Sequence, residues 1–179
     1  MKKTLLIIIM MLLMGNIPAI AYQSLWEVYD EAGGSGEYDK WLDLDPSIEY
    51  LGNLNITTGL NVYINGHGAL IHGRINTGAI CVSGSHLDIE NCVIIDGHAG
   101  LYIGSGSSAI IKNNTITGMT DSGIRTFYIG IGANTQIYDN IITDCYYGYF
   151  GIENEIPGYI GFNTVYNTIS YRYAEFCPG

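Results

Sequence analysis

The sequence predicts an all-β fold: a single-stranded right-handed parallel β-helix of about five coils with a short N-terminal helical cap. Three observations predict it. Similar segments return every 22 to 26 residues from Tyr50 onward. Within each copy, apolar and polar residues alternate with period two, the signature of strands rather than helices. Glycine is abundant, at 24 residues, and proline scarce, at 4, which suits short strands joined by tight turns.

Residues 1–21 read as a secretory signal peptide. Lys2 and Lys3 form a basic start, Leu5 to Met14 is a nearly unbroken apolar run, and Ala19-Ile20-Ala21 offers small residues for cleavage before Tyr22. The run is shorter than the roughly 20 residues of a membrane span. No second run of that length follows, so an exported chain with no span after cleavage is expected: secreted, periplasmic or at the cell surface.

Residues 22–49 read as a cap over the first exposed strand edge. In SLWEVYDEA (24–32), Leu25, Trp26 and Tyr29 are expected on one helical face, with Ser24 as N-cap. Gly33, Gly34 and Gly36 end the helix, and Trp41, Leu42 and Leu44 supply a second apolar patch. Asp39, Asp43 and Asp45 lack the glycine and distal glutamate of a calcium-binding helix–loop–helix and read as a solvated acidic face.

Residues 50–170 carry the repeat. In LDIENCVIIDG (87–97), AIIKNNTITGM (109–119), TQIYDNIITDC (135–145) and GYIGFNTVYNT (158–168), three columns recur. One is Ile89, Ile111, Ile137 and Ile160. The next is Cys92, Asn114, Asn140 and Asn163, and the third is Ile94, Ile116, Ile142 and Val165. A second strand in each turn places Ile80, Leu101, Ile124 and Tyr149 in one inward column and Val82, Ile103, Thr126 and Gly151 in another. A repeat this short cannot bury its own apolar face, so copies must stack, with parallel strands and right-handed crossovers. Asparagines recurring at one bend are expected to bond from coil to coil. Residues 171–179 read as a C-terminal tail or cap, and an uncovered end would permit end-to-end stacking on another β-helix.

The segment YLGNLNITTGLNVYINGHGALIHG (50–73) and the I-x-N-N-x-I copies that follow resemble the parallel β-helix repeats of pectin-lyase-like proteins, over about residues 50–170. That resemblance implies the fold. It spans pectate lyases, polygalacturonases, pectin methylesterases, alginate epimerases, phage tailspikes and non-catalytic surface proteins, so it does not select an activity.

Between the inward columns of the second strand lie Cys81, Tyr102, Arg125 and Phe150, an outward ladder. Aromatic faces suit sugar rings, and a guanidinium suits carboxylates. Tyr102, Arg125 and Phe150 are therefore the candidate carbohydrate-binding residues, on a polysaccharide or cell-surface glycan. A weaker polar set is His72, Asp96 and Asp144 near one turn column, with Asp121 just before the Arg125 strand. Paired carboxylates would suit a glycoside hydrolase, and calcium with arginine a polysaccharide lyase acting on an acidic polysaccharide. Gly118 interrupts the carboxylate column, however, and no clustered aspartate pair occurs. The favoured expectation is a non-catalytic module without cofactor, calcium entering only under the lyase alternative. His67, His86 and His98 read as surface or turn residues.

The formal net charge of −10 argues against nucleic acid, whose phosphates require Lys/Arg clusters. Of four cysteines, Cys81 and Cys92 read as buried free thiols. Export permits disulfides, three pairings are possible, and Cys145 with Cys177 is one of them. No CxxC spacing points to a metal or redox motif.

Overall fold

Stacking is what the repeat demands, and the computed structural model is a parallel β-solenoid that describes residues 22–57, 59–126, 135–151 and 158–169. Residues 1–21, read as the signal peptide, and 171–179, read as the tail, lie outside the described residues, as does Cys177. In chain order the elements begin with β1 (Tyr22–Ser24), α1 (Leu25–Glu31), β2 (Lys40–Asp43), β3 (Glu49–Leu51), β4 (Leu54–Thr57), β5 (Asn61–Asn65), β6 (Leu70–His72), β7 (Gly78–Ser83) and β8 (His86–Glu90). They continue with β9 (Val93–Ile103), β10 (Ser108–Lys112), β11 (Thr115–Thr126), β12 (Thr135–Tyr138), β13 (Ile141–Thr143), β14 (Tyr147–Phe150), β15 (Gly158–Gly161) and β16 (Thr164–Tyr166).

Three strand columns form the walls. The first is the six-stranded sheet β2-β5-β8-β10-β12-β15. The second runs β1-β3-β6-β9-β11-β13-β16. The third, β4-β7-β9-β11-β14, shares β9 and β11 with the second, because these two strands run on through the corner. The first wall counts about six coils, close to the expected five, and β2 joins it in register with β5, as β1 and β3 join the second wall in register with β6.

The isoleucine columns read from the sequence lie in register, and Val82 pairs with Ile103 and Ile103 with Thr126, whereas Gly151 lies past the end of β14 in a bend at φ 79°. Ile111 pairs with Ile89 and Ile137, and Ile137 pairs with Ile160. Ile116 pairs with Ile94 and Ile142, and Ile124 pairs with Leu101 and Tyr149. From the first column Ile89, Ile111 and Ile137, and from the others Ile94, Ile116, Ile142, Leu101 and Ile124, are buried to 1% exposure or less. Full burial of an isoleucine stabilises by roughly 1.5–3 kcal/mol, so this shared interior is the main driving force for stacking.

The asparagine column forms the predicted ladder. Asn114 Oδ1 accepts the Cys92 N–H at 3.0 Å, while its Nδ2 donates to the carbonyls of Ile89 and Lys112 and to Asn140 Oδ1 at 3.1, 2.9 and 3.1 Å. Asn140 repeats the pattern one coil on, accepting the Asn114 N–H and donating to Ile111, Tyr138 and Asn163. Each side chain thus satisfies backbone groups of its own and the preceding coil, deep inside a bend.

At the N-terminal end, α1 covers the stack with Leu25 and Tyr29, which are buried with Leu42 and Leu44. Trp26 departs from the expected face and is 48% exposed. Adjacent helix residues lie about 100° apart, so Leu25 with Tyr29 four residues on defines the buried stripe and Trp26 falls outside it. Ser24 occupies the N-cap position without a side-chain capping bond. The three aspartates have separate partners: Asp39 accepts the Asn61 backbone N–H, Asp43 the Trp41 indole N–H, and Asp45 the Ser47 backbone N–H and hydroxyl. Among the described residues no helix is long and apolar enough to cross a membrane.

Cys81, Cys92 and Cys145 are free thiols, Cys92 and Cys145 being buried. Burial pushes the Cys92 thiol up to about 12 and the Cys145 thiol up to about 11. Only thiolates react quickly. In a Cys177→Ala background, titration with a disulfide reagent at pH 8 is expected to modify Cys92 and Cys145 only as fast as the chain unfolds. The raised values favour the folded state fully below the unfolded pKa near 8.5, and that contribution is lost as pH climbs toward 12.

Candidate functional site

The outward ladder of the third wall is built by strand register. Asn55 pairs with Cys81, Cys81 with Tyr102, Tyr102 with Arg125, and Arg125 with Phe150. The ladder steps from small side chains, Asn55 and Cys81, to large ones, Tyr102, Arg125 and Phe150. A groove of about 570 Å³ lies along that step, floored by Asn55 and Cys81 and lined by Tyr102 and Arg125. Asn76 and Thr77 wall one side, from the turn closed by the Arg74–Thr77 bridge. Ser83, at the end of β7, and Ser105, in the turn after β9, wall the other.

The three proposed residues therefore divide. Tyr102 and Arg125 line the groove. Phe150 stands behind Arg125, its ring centroid 4.7 Å from the guanidinium carbon, while Tyr102 lies 6.0 Å away on the opposite side. Sandwiching between two rings holds a planar guanidinium in one orientation and supplies cation–π attraction.

Asp121 joins this group through an irregularity in the strands. Between Met119 and Ser122 the register of β11 against β9 shifts: Met119 pairs with Gly97 and Ser122 with Ala99. Two residues, Thr120 and Asp121, thus oppose the single residue His98. Such bulges turn side chains that a regular ladder would hold elsewhere. Here Asp121 accepts a 2.9 Å bond from Arg125 Nη1 and a 3.0 Å bond from Ser122, and its carboxylate is 4.0 Å from His98 Nε2.

His98 also lines the groove. The sequence alone does not mark it as a site residue, because a lone histidine beside glycine reads as a surface or turn residue. The available signal was the one-residue difference in spacing between the Gly97-to-Tyr102 and Met119-to-Arg125 segments. His86 and His98 both lie within strands, β8 and β9, rather than in turns.

The weaker polar set is dispersed. His72 pairs across to Ile95, one position before Asp96, and bonds Glu49 at 2.7 Å. Asp96, Gly118 and Asp144 all have positive φ, at 50°, 74° and 54°, so this column selects residues that tolerate the left-handed region. Asp144 accepts bonds from Thr143 and Asn167. Asp96 and Asp144 sit two coils apart, about 10 Å, with the Gly118 backbone between them.

A second polar network lies on the first wall. Ser108, His86 and Asp88 form a chain, with His86 Nδ1 2.6 Å from Ser108 Oγ and Nε2 2.8 Å from Asp88 Oδ1. Burial raises the Asp88 carboxyl, but bonds from His86 and Tyr38 outweigh it and hold the group below its usual range. The chain is reversed relative to a hydrolytic triad, in which the carboxylate holds Nδ1 and Nε2 faces the serine. The Ser108 N–H, a possible oxyanion donor, is already bonded to the Ser85 carbonyl. Beside it, Tyr38, Trp41 and Tyr63 pack on one another with centroids 4.1–5.7 Å apart, leaving a filled surface cluster. Among the described residues no group of three or more His, Cys, Asp or Glu is placed to hold a metal ion.

Parallel coils, an asparagine ladder and an outward groove on one wall define the class: a parallel β-solenoid with a surface cleft. The family model described as "Right handed beta helix region" matches residues 52–173. The chain belongs to that right-handed β-helix family. No curated protein and no solved structure gives a significant match.

Proposed function

We propose that this protein is an exported, non-catalytic β-helix module that binds carbohydrate along the Tyr102–Arg125 groove. One observation carries the reading: an aromatic ring and an oriented guanidinium line a cleft whose floor is two small side chains. A sugar ring offers apolar C–H faces and a rim of hydroxyls. Tyr102 matches the faces, while Arg125 and the amide and hydroxyl groups along the walls match the rim. The basic, apolar and small-residue pattern of residues 1–21 supports export to the cell surface or beyond.

A hydrolase in this groove would need two carboxylates flanking the scissile bond, about 5–9.5 Å apart. Among the described residues the groove lining holds no aspartate or glutamate, and Asp121 behind it is tied to Arg125. Reducing-end assays, and ultraviolet absorbance for unsaturated products with and without calcium, are expected to show no turnover on any glycan that binds.

Binding is tested by affinity electrophoresis and calorimetry over a glycan panel. Tyr102→Ala is expected to weaken the best ligand at least tenfold, as truncation of a central aromatic anchor does. Phe150→Ala is expected to act more weakly, because Phe150 only positions Arg125. Equal affinity of the wild type and Tyr102→Ala for every glycan would overturn the reading.

A further inference from the structure

We infer that the ligand of this groove is a neutral saccharide rather than a uronate; the inference rests on the carbohydrate reading above. An arginine in a β-helix cleft suggests carboxylate recognition, but here its charge is already matched. Asp121 holds the guanidinium at 2.9 Å, and both side chains are largely shielded, at 22% and 18% exposure. Charges interact more strongly at such partly desolvated positions than in open water. A uronate reaching Arg125 meets a guanidinium already engaged and a second carboxylate beside it.

Among the described residues the rest of the groove lining is uncharged apart from His98. Asn55, Thr77, Ser83 and Ser105 contribute amides and hydroxyls, which suit sugar hydroxyls. His98, when protonated, faces the same Asp121 carboxylate. The chain as a whole is acidic, with a formal net charge of −10, and repels polyanions at long range. For a neutral sugar Arg125, held from behind by Asp121, is instead a fixed donor able to bond a hydroxyl without separating the two charges.

The test uses the full mature chain with homopolymers of glucose, galactose, mannose and xylose, together with polygalacturonate and its carboxyl-reduced neutral product. The expected result is a neutral glycan bound at least tenfold tighter than polygalacturonate, and reduced polygalacturonate preferred over its parent. The neutral affinity should change less than about twofold between low and physiological salt, since no net charge is screened. In Asp121→Asn the ratio of neutral to uronate affinity should move at least fivefold toward the uronate. Tighter, salt-sensitive binding of polygalacturonate, lost in Tyr102→Ala, would overturn the neutral ligand while leaving the groove as a glycan site. Absence of binding by every glycan, or indifference to Tyr102→Ala, would overturn both.

Discussion

Asn114→Ala is expected to lower the unfolding free energy by about 3–5 kcal/mol, the cost of stranding several buried polar groups at once. Asn114 is 1% exposed and serves groups on three coils. Its removal leaves the Cys92 N–H without its acceptor and deprives the Ile89 and Lys112 carbonyls of a donor. It also breaks the link to Asn140. Water cannot replace these bonds, because the side chain sits between the buried columns of Ile111 and Ile116. Asn163→Ala is the internal comparison: it makes the same backbone bonds but sits in the last described coil and is only partly buried, so about half the loss is expected. Urea denaturation checks both. The midpoint should fall in each variant with an unchanged slope, the mark of lost stability rather than a changed unfolded state. A loss below about 1 kcal/mol for Asn114→Ala would mean that the ladder decorates the bend rather than holding it.

Gly100→Ala is expected to cost about 3 kcal/mol, although it adds only one methyl group. Gly100, Gly123 and Gly148 stack at the corner where the second and third walls meet. A Cβ on Gly100 would lie 2.6 Å from the Gly123 carbonyl oxygen and 2.6 Å from Ile116 Cγ2. One on Gly123 would lie 2.5 Å from Ile142 Cγ2 and 2.9 Å from the Gly148 oxygen. The corner glycines therefore leave the space into which the isoleucine column of the second wall projects, and the obstructing backbone oxygen cannot swing aside. Gly33→Ala, with nothing within 4 Å of the added carbon, is the control and should be close to neutral. Thermal melts of both variants distinguish close packing from a general intolerance of glycine replacement. Equal melting temperatures for wild type and Gly100→Ala would show that the corner yields, and would remove the steric reason for this column.

The solenoid and most of its inward columns were legible in the sequence, because stacked coils repeat one chemical environment at a fixed interval. Ile89, Ile111 and Ile137 announce a shared interior by recurring, and Asn114 and Asn140 announce a shared bend. The outward order of Cys81, Tyr102, Arg125 and Phe150 follows from the same register. The helix was legible as an element but not in detail: Trp26 looked equivalent to Leu25 by composition and differs from it only in angle.

What the sequence by itself determined is thus the repeating part: a parallel stack, its apolar interior, its asparagine ladder and the residues that share an outer column. Tertiary structure alone decided the departures from the repeat. Asp121 reaches Arg125 because β11 bulges against β9, and Tyr102 borders a groove because its neighbours Cys81 and Asn55 are small. Asp96 and Asp144 occupy a left-handed turn column rather than a shared active centre. The physical reason is one of scale. Periodic burial is imposed on every coil and leaves a periodic trace, whereas a site is made by single side chains meeting across coils, and only their placement in space brings them together.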